Sequence, residues 1–575
     1  MKPAQPASIS WRPTVIGRHH AISCGHYLAS AIGFKILSEG GNAVDAGVSM
    51  AIALAVLQPD VVSFGGVAPT LIYLKAERRV VSLAGLGWWP SATDVARLRE
   101  AGGEHVPEGI LRQVVPAAPA THVEALRRFG TISFEAAASP ALELARDGFG
   151  MYPELRDSLL IHRDQIARYP ENSAVFLPGG EVPQLGAILR QTDLARTLGR
   201  LIEAERRASG DRSAKLRAVH NYFYKGPIAQ EIDQWHRANG GFMRAQDLAD
   251  FEVPVEDSIS TSFNGLEIHS CDTWCQGIVL LEALNILSHF DLKSLGHNSP
   301  AYLHTLTAAL NLAFSDREHY VGDPRFINVP TATLLSEHYA AAQAKRIDAN
   351  RAFAGMPEAG KVEGHHKESA LTGASGSVPP APDTIYGCVV DSSGNAMSIT
   401  PSDTTYDSPM VAGLGFVPST RGMQGRLQEN HPCFVAPGRR PRLTPTPALA
   451  LRDGEFHMAW GTPGGDVQCS SMLQVFLNTT IFGMTLQQAI EAPRVASFNF
   501  PNSFSPNTYL PARLCVENSI DAQTIASLKQ LGHDIEQWPE RSWSAGAVCA
   551  IQRASDTGLL HAGADPRRSA YAIAW

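Results

Sequence analysis

A chain of 575 residues, 44% apolar and 18% charged, has the composition of a folded globular protein and the length for two or more domains or one large layered unit. A formal charge of −8 with scattered basic residues argues against nucleic acid, since the tightest basic group, Arg439–Arg440–Pro441–Arg442, is too short to line a phosphate backbone. The same composition argues against disorder.

The N-terminal stretch MKPAQPASISWRPTVIGRHHAIS has no continuous apolar core followed by a small-residue cleavage site, which predicts a cytoplasmic protein. Tyr27 to Leu57 reads as two helices broken by Gly40–Gly41, with Asn42 as the N-cap of the second. In that second helix Val44, Val48, Ile52 and Val56 recur every four residues with small residues between them, as close packing requires. Val44 to Leu57 is the most apolar stretch, but it is short and contains Ser49, so it reads as a buried helix and not as a membrane span.

Thr70 to Leu83 reads as two strands and the middle third as mainly helical, most clearly at Ala301 to Tyr320. Asp316, Arg317 and Glu318 near the end of that helix are expected to be solvated charges with a structural role. Eight dispersed cysteines in a long chain are expected to be reduced thiols. Cys271 and Cys275 lack a second pair or a histidine cluster at zinc-ligand spacing, so neither metal nor any other cofactor is expected.

After Phe353 the composition changes. Residues 354–383 are rich in Gly, Pro, Ala and Ser with almost no large apolar side chain, and are expected to form a mobile tether, with His365 and His366 as a solvated pair. Directly afterwards Ile385 to Val390 and Ala396 to Thr400 read as paired strands around the turn Ser392–Ser393–Gly394–Asn395. A tether that ends at a strand beginning with Thr384 is the arrangement expected if cleavage between Asp383 and Thr384 makes threonine a new N-terminus. A threonine hydroxyl is a weak nucleophile until a base takes its proton, and its own α-amine, with a pKa of roughly 7.7–8.0, can be that base. In the uncut chain that nitrogen is an amide, so cleavage would create the catalyst.

Attack on an amide also needs preorganised donors for the oxyanion. Thr462–Pro463–Gly464–Gly465–Asp466 follows an apolar strand segment and precedes a helical run, a junction whose N–H groups can point at an anion. Ser402, just past the returning strand, is a candidate hydrogen-bond partner for the nucleophile.

Several ordered stretches resemble the gamma-glutamyltranspeptidase family of N-terminal-nucleophile hydrolases over nearly the whole chain. They are Glu39-GGNAVDAG-Val48, Phe64-GG-Val67, Asn311-LAFSDREHYVGDP-Arg325, Thr384-IYGCVVDSSGNAMSI-Thr400, Ala459-WGTPGGD-Val467, Glu491-APR-Val495 and Gly563-ADPR-Arg568. The resemblance implies an α/β (α+β) fold, a four-layer αββα sandwich, made as a precursor. Its large subunit would be residues 1–383 and its small catalytic subunit residues 384–575, remaining together as a heterodimer, with further homo-oligomerisation open. It also implies Thr384 as nucleophile, Gly464 and Gly465 as oxyanion hole and Ser402 as support for the nucleophile.

The donor subsite departs from the family. Where the family holds a γ-glutamyl α-carboxylate with arginine, this chain has Leu83-AGLGWW-Pro90 and no guanidinium fork. Leu443–Thr444 stands where a serine pair is expected, Thr404 in place of an asparagine, and Gln424 near the position of an acidic residue. Trp88 and Trp89 are candidates for a more apolar acyl pocket, and Arg421 and Arg426 for a carboxylate contact elsewhere; the alternative makes both tryptophans core and both arginines solvated. The substrate implied is a small amide that need not be γ-glutamyl.

Overall fold

Asn42 and Asp45 cap the helix that organises one half of the molecule. In the computed structural model, which describes residues 10–365 and 384–575, Asn42 Oδ1 accepts the N–H groups of Val44 and Asp45, and the Asp45 carboxylate accepts the Asn42 N–H at 2.9 Å. These bonds satisfy donors that a helix start otherwise leaves unpaired. The helix, Ala43–Leu57, is buried along its whole length, because small residues between its valines let neighbours approach from every side. It lies against Tyr27–Ser38, the helix before the glycine pair.

Beneath these helices lies an antiparallel sheet of seven strands in the order Tyr571–Ala574, Ala21–Cys24, Gly387–Val390, Ala396–Ile399, Thr70–Leu74, Arg79–Leu83, Val255–Asp257. A second antiparallel sheet packs on its other face in the order Val15–Gly17, Leu560–Ala564, Cys549–Arg553, Glu455–Gly461, Ala448–Arg452, Leu266–Ser270, Ile259–Phe263. The period of two sorts the side chains. Val389 and Met397 join the helix-facing core, whereas Cys388, Val390 and Ala396 join the core between the sheets. On the second sheet Leu449 and Leu451 point between the sheets, while Ala448 and Ala450 meet the outer helices Ile278–Leu287, Pro300–Tyr320 and Val467–Thr480. The result is the four-layer αββα sandwich.

All eight cysteines are buried free thiols. Among the described residues no helix is long and apolar enough to cross a membrane, and no cluster of three or more metal-ligating side chains occurs.

Two expectations are corrected. Asp316, Arg317 and Glu318 are not solvated: they are buried where the C-terminal end of Pro300–Tyr320 enters the centre of the molecule. Arg317 pairs with Glu318 at 2.8 Å and with Asp466, while Glu318 also takes Arg442, Arg426 at 3.5 Å and His431 at 3.2 Å. Burial works to raise the Glu318 carboxyl, but Arg442 and Arg317 overcome it and hold the group well below the usual range. Residues 354–365 are also anchored and not a featureless tether. Pro357 O accepts Ser315 Oγ at 2.6 Å, Gly360 N–H donates to Asp316 Oδ1 at 2.7 Å, and Gly360 O accepts Tyr320 Oη at 2.6 Å. Composition misled here because backbone polar groups, not an apolar face, dock the segment. His365 makes a bond to Glu363 O at 3.1 Å, while His366, Asp383 and the rest of 366–383 lie outside the described residues.

Candidate active site

Thr384 sits at the head of the strand Gly387–Val390, third in its sheet, and is fully buried. It forms a single antiparallel bridge with Ser402, and its Oγ1 lies 2.7 Å from Ser402 Oγ. Ser402 is fixed on its other side by Val67, which exchanges two backbone bonds with it at 3.0 and 3.2 Å. Beyond Ser402 stands a charge. Arg421 Nη2 donates to Ser402 Oγ, and Arg421 Nε is 3.3 Å from Asp403 Oδ1. The Asp403 carboxylate accepts Ser419 Oγ at 2.7 Å, Thr420 N–H at 3.0 Å and Thr420 Oγ1 at 2.8 Å. Burial pushes the Asp403 pKa up against the pull of Arg421 and these donors. Its φ of +122° is one an L-residue seldom adopts, so its surroundings, not its own preference, fix it.

The second element is the turn after Glu455–Gly461. At Gly461 an added Cβ would stand 2.3 Å from the Tyr386 ring, so glycine is what lets this strand end close against the Thr384 strand. The turn itself needs the left-handed region, with φ of +118° at Gly464 and +57° at Gly465, before the helix Val467–Thr480 begins. Positive helix-end potential and oriented N–H groups favour an anion at this junction. Its frame is rigid: Gln276 Nε2 donates to both Thr444 O and Gly465 O at 3.1 Å, and Asp466 binds Arg317 and accepts Ser503 N–H at 2.7 Å.

Gly464 also lines a cleft of about 880 Å³. Its walls include Tyr406, Phe498, Trp538 and Trp543, and Tyr406 stacks on His162 with ring centroids 3.7 Å apart. Val61, another wall residue, accepts the Asp403 N–H at 3.1 Å, which places the cleft beside the segment that carries Ser402.

Residues 29–575 match the sequence profile of Gamma-glutamyltranspeptidase. The chain belongs to the gamma-glutamyltranspeptidase family. It is 28% identical to the glutathione hydrolase proenzyme of Escherichia coli (strain K12), over 94% of this chain and 89% of that protein. The structure of LmbA2991HD superposes with a TM-score of 0.92 at 33% identity, covering 98% of this chain and all of the other. The cephalosporin acylase from Bacillus halodurans gives a TM-score of 0.86 at 26% identity, covering 100% and 99%. The protein is therefore an enzyme, an amide hydrolase or acyltransferase of the N-terminal-nucleophile type.

In this member of the gamma-glutamyltranspeptidase family, the side chains expected at the donor subsite bond to neighbouring side chains, while Gln424 Oε1 is buried with no hydrogen-bond partner among the described residues. Thr404 Oγ1 donates to Asp407 Oδ1 at 2.7 Å, and Asp407 pairs with buried Arg112 at 2.9 Å. Gln424 Nε2 donates to Thr444 Oγ1 at 2.8 Å. Trp89, 1% exposed, packs behind Gly422 and Gly425, while Trp88 leans on Phe251 at 4.9 Å beneath Arg325. Neither lines the cleft. Arg421 and Arg426 are buried, contrary to the solvated alternative, and Arg426 donates to the Ser503 and Asn502 carbonyls at 3.0 Å each. Asp403, Gln276 and the cleft aromatics are functional candidates that sequence reasoning did not find. Asp403 had one local signal, its place directly after Ser402.

Proposed function

We propose that this protein is an autoprocessed amidohydrolase or acyltransferase whose nucleophile is Thr384, acting on a small amide that need not be γ-glutamyl. The observation that carries the proposal is the 2.7 Å contact of Thr384 Oγ1 with Ser402 Oγ at the head of a central strand. Cleavage of the Asp383–Thr384 bond would free the Thr384 α-amine as general base. The amine takes the Oγ1 proton, Oγ1 attacks the substrate carbonyl, and N–H groups of Gly464 and Gly465 receive the oxyanion. The leaving amine takes a proton as the C–N bond breaks, leaving an ester on Thr384 that water or an acceptor amine resolves.

The amide substrate follows from the donor subsite. Thr404, Gln424 and Thr444 bond to neighbours, and no arginine lies in residues 83–90 to pair with an amino-acid carboxylate. An unpaired α-carboxylate buried there would cost more than the roughly 2–7 kcal/mol of an unpaired neutral polar group. The cleft is walled by Phe498, Trp538 and Trp543 but also by Arg12, Asp157 and Arg568, which suits a bulky group that carries polar atoms as well as apolar surface. Eight buried unpaired thiols fit a reducing compartment such as the cytoplasm.

Intact-mass spectrometry after incubation at neutral pH tests the nucleophile: a fragment beginning at Thr384 is expected from the natural chain, and full-length mass alone from Thr384→Ala. Two normal fragments from that variant would sink the proposal. The similarity to a glutathione hydrolase favours a second reading, true γ-glutamyl transfer. Saturable turnover of a γ-glutamyl anilide at millimolar concentration or below would decide for it. A natural chain that never cleaves would instead mark a binding or scaffold protein.

A further inference from the structure

We propose that Arg421 is the positioning residue that activates Thr384 through Ser402, in self-cleavage and in turnover alike, and not a receptor for a substrate carboxylate. The inference rests on the assignment of Thr384 as nucleophile. Its physical basis is a chain of two contacts. A guanidinium can only donate, so Arg421 Nη2 fills one of the two lone pairs of Ser402 Oγ, and the serine hydroxyl, 2.7 Å from Thr384 Oγ1, can turn its proton toward that oxygen as charge develops there. A fixed positive charge behind a hydroxyl also makes that hydroxyl a stronger donor. In turnover the Thr384 α-amine takes the Oγ1 proton; in self-cleavage Oγ1 adds to the carbonyl carbon of residue 383, its proton ends on the Thr384 nitrogen as that C–N bond breaks, and water then hydrolyses the ester. In both, the Ser402 O–H stabilises the negative charge that gathers on Oγ1.

Two observations hold the guanidinium to this role. It is fully buried, with Nε facing Asp403 and its plane 5.6 Å over the Phe504 ring, so it already has a carboxylate partner. Asp403 in turn is tied by Ser419 and Thr420, and its backbone is held at φ +122° directly beside Ser402. A free carboxylate receptor has no need of this second acid. An arginine that must present one N–H to one hydroxyl does.

Self-cleavage separates the two roles, because it uses no external substrate. In purified precursor, Arg421→Gln, which keeps an amide donor but loses the charge, is expected to slow appearance of the 384–575 fragment about 30- to 100-fold, with Arg421→Ala similar. Arg421→Lys, which keeps the charge, is expected to be at least about tenfold faster than Gln, with the Gln variant's thermal stability measured alongside to separate loss of the Asp403 pair from loss of activation. Ser402→Ala with Arg421→Gln is expected to be no slower than Ser402→Ala alone, since one residue acts through the other. In processed enzyme the same loss should fall on kcat for an uncharged anilide, with KM nearly constant. Equal rates for the Lys and Gln variants, fully additive losses, or natural-rate self-cleavage with a raised KM for carboxylate-bearing donors only would each overturn the inference. Thr384→Ala distinguishes the failures: if it cleaves, the nucleophile assignment falls; if it does not and Arg421→Gln cleaves normally, this inference alone falls.

Discussion

One amide side chain carries much of the geometry of the turn proposed to receive the oxyanion. Gln276 is fully buried and uses both ends: Nε2 donates to Thr444 O and Gly465 O, and Oε1 accepts Arg317 Nη1 at 2.8 Å. Arg317 can only donate and the two carbonyls can only accept, so the amide cannot flip. Gln276→Ala would free the Gly465 carbonyl and remove a partner from Arg317, loosening the turn by fractions of an ångström. Small displacements of oxyanion donors are costly, so kcat should fall about 10- to 100-fold with KM little changed. Steady-state kinetics check this, and a raised KM with unchanged kcat would place Gln276 in substrate binding instead. Nothing in the sequence around Cys275–Gln276–Gly277 announces the role, because its partners are Thr444, Gly465 and Arg317, all distant in the chain. By contrast, Thr384, Gly464 and Gly465 were legible, since a composition break before a strand and a glycine pair before a helix are local signals.

At the scale of elements, local patterns were reliable where one element decides its own shape. The Asn42 cap, the strands Thr70–Leu74 and Arg79–Leu83 and the hairpin Gly387–Val390 with Ala396–Ile399 follow from capping chemistry and periodicity. Local patterns failed where a distant element supplies the partner, as at Asp316–Glu318 and at residues 354–365. The helix Pro300–Tyr320 shows a further distant tie. His304 Nε2 meets Asp348 O at 2.8 Å and His304 Nδ1 meets His533 Nε2 at 2.9 Å, which joins the helix to the loop before the strand Asp534–Trp538. Burial, reinforced by His304, lowers the His533 pKa from 6.5 to about 4. The unfolded chain takes this proton near pH 6.5 and the folded chain refuses it until about 4. Between those values the unfolded state binds more protons, so stability falls as pH drops, by up to about 3 kcal/mol from this group. His533→Asn should flatten denaturant-measured stability between pH 6.5 and 4. An unchanged slope would assign the acid loss to other buried imidazoles, such as His26 and His457, which burial also lowers to about 4.

Across the whole molecule, the proposed cut falls within an interleaved pair of sheets. Gly387–Val390 lies between Ala21–Cys24 and Ala396–Ile399, and Ala21–Cys24 itself lies between Gly387–Val390 and Tyr571–Ala574. In the second sheet Val15–Gly17 pairs with Leu560–Ala564, and Ala448–Arg452 with Leu266–Ser270. All of these pairings except Gly387–Val390 with Ala396–Ile399 join residues from opposite sides of Thr384. The core between the sheets is shared in the same way, with Leu71, Tyr73 and Trp274 from one side packed among Cys388, Leu449 and Ile551 from the other. Separating the two pieces would strip hydrogen bonds from sheet interiors and expose apolar surface, at roughly 25 cal/mol for each Å² bared. After cleavage, residues 1–383 and 384–575 should therefore elute together in native size-exclusion chromatography and part only in denaturant. Fragments that separated without denaturant would mean that the cut releases strands instead of only freeing an amine. The fold would then have to be rebuilt before Thr384 could act.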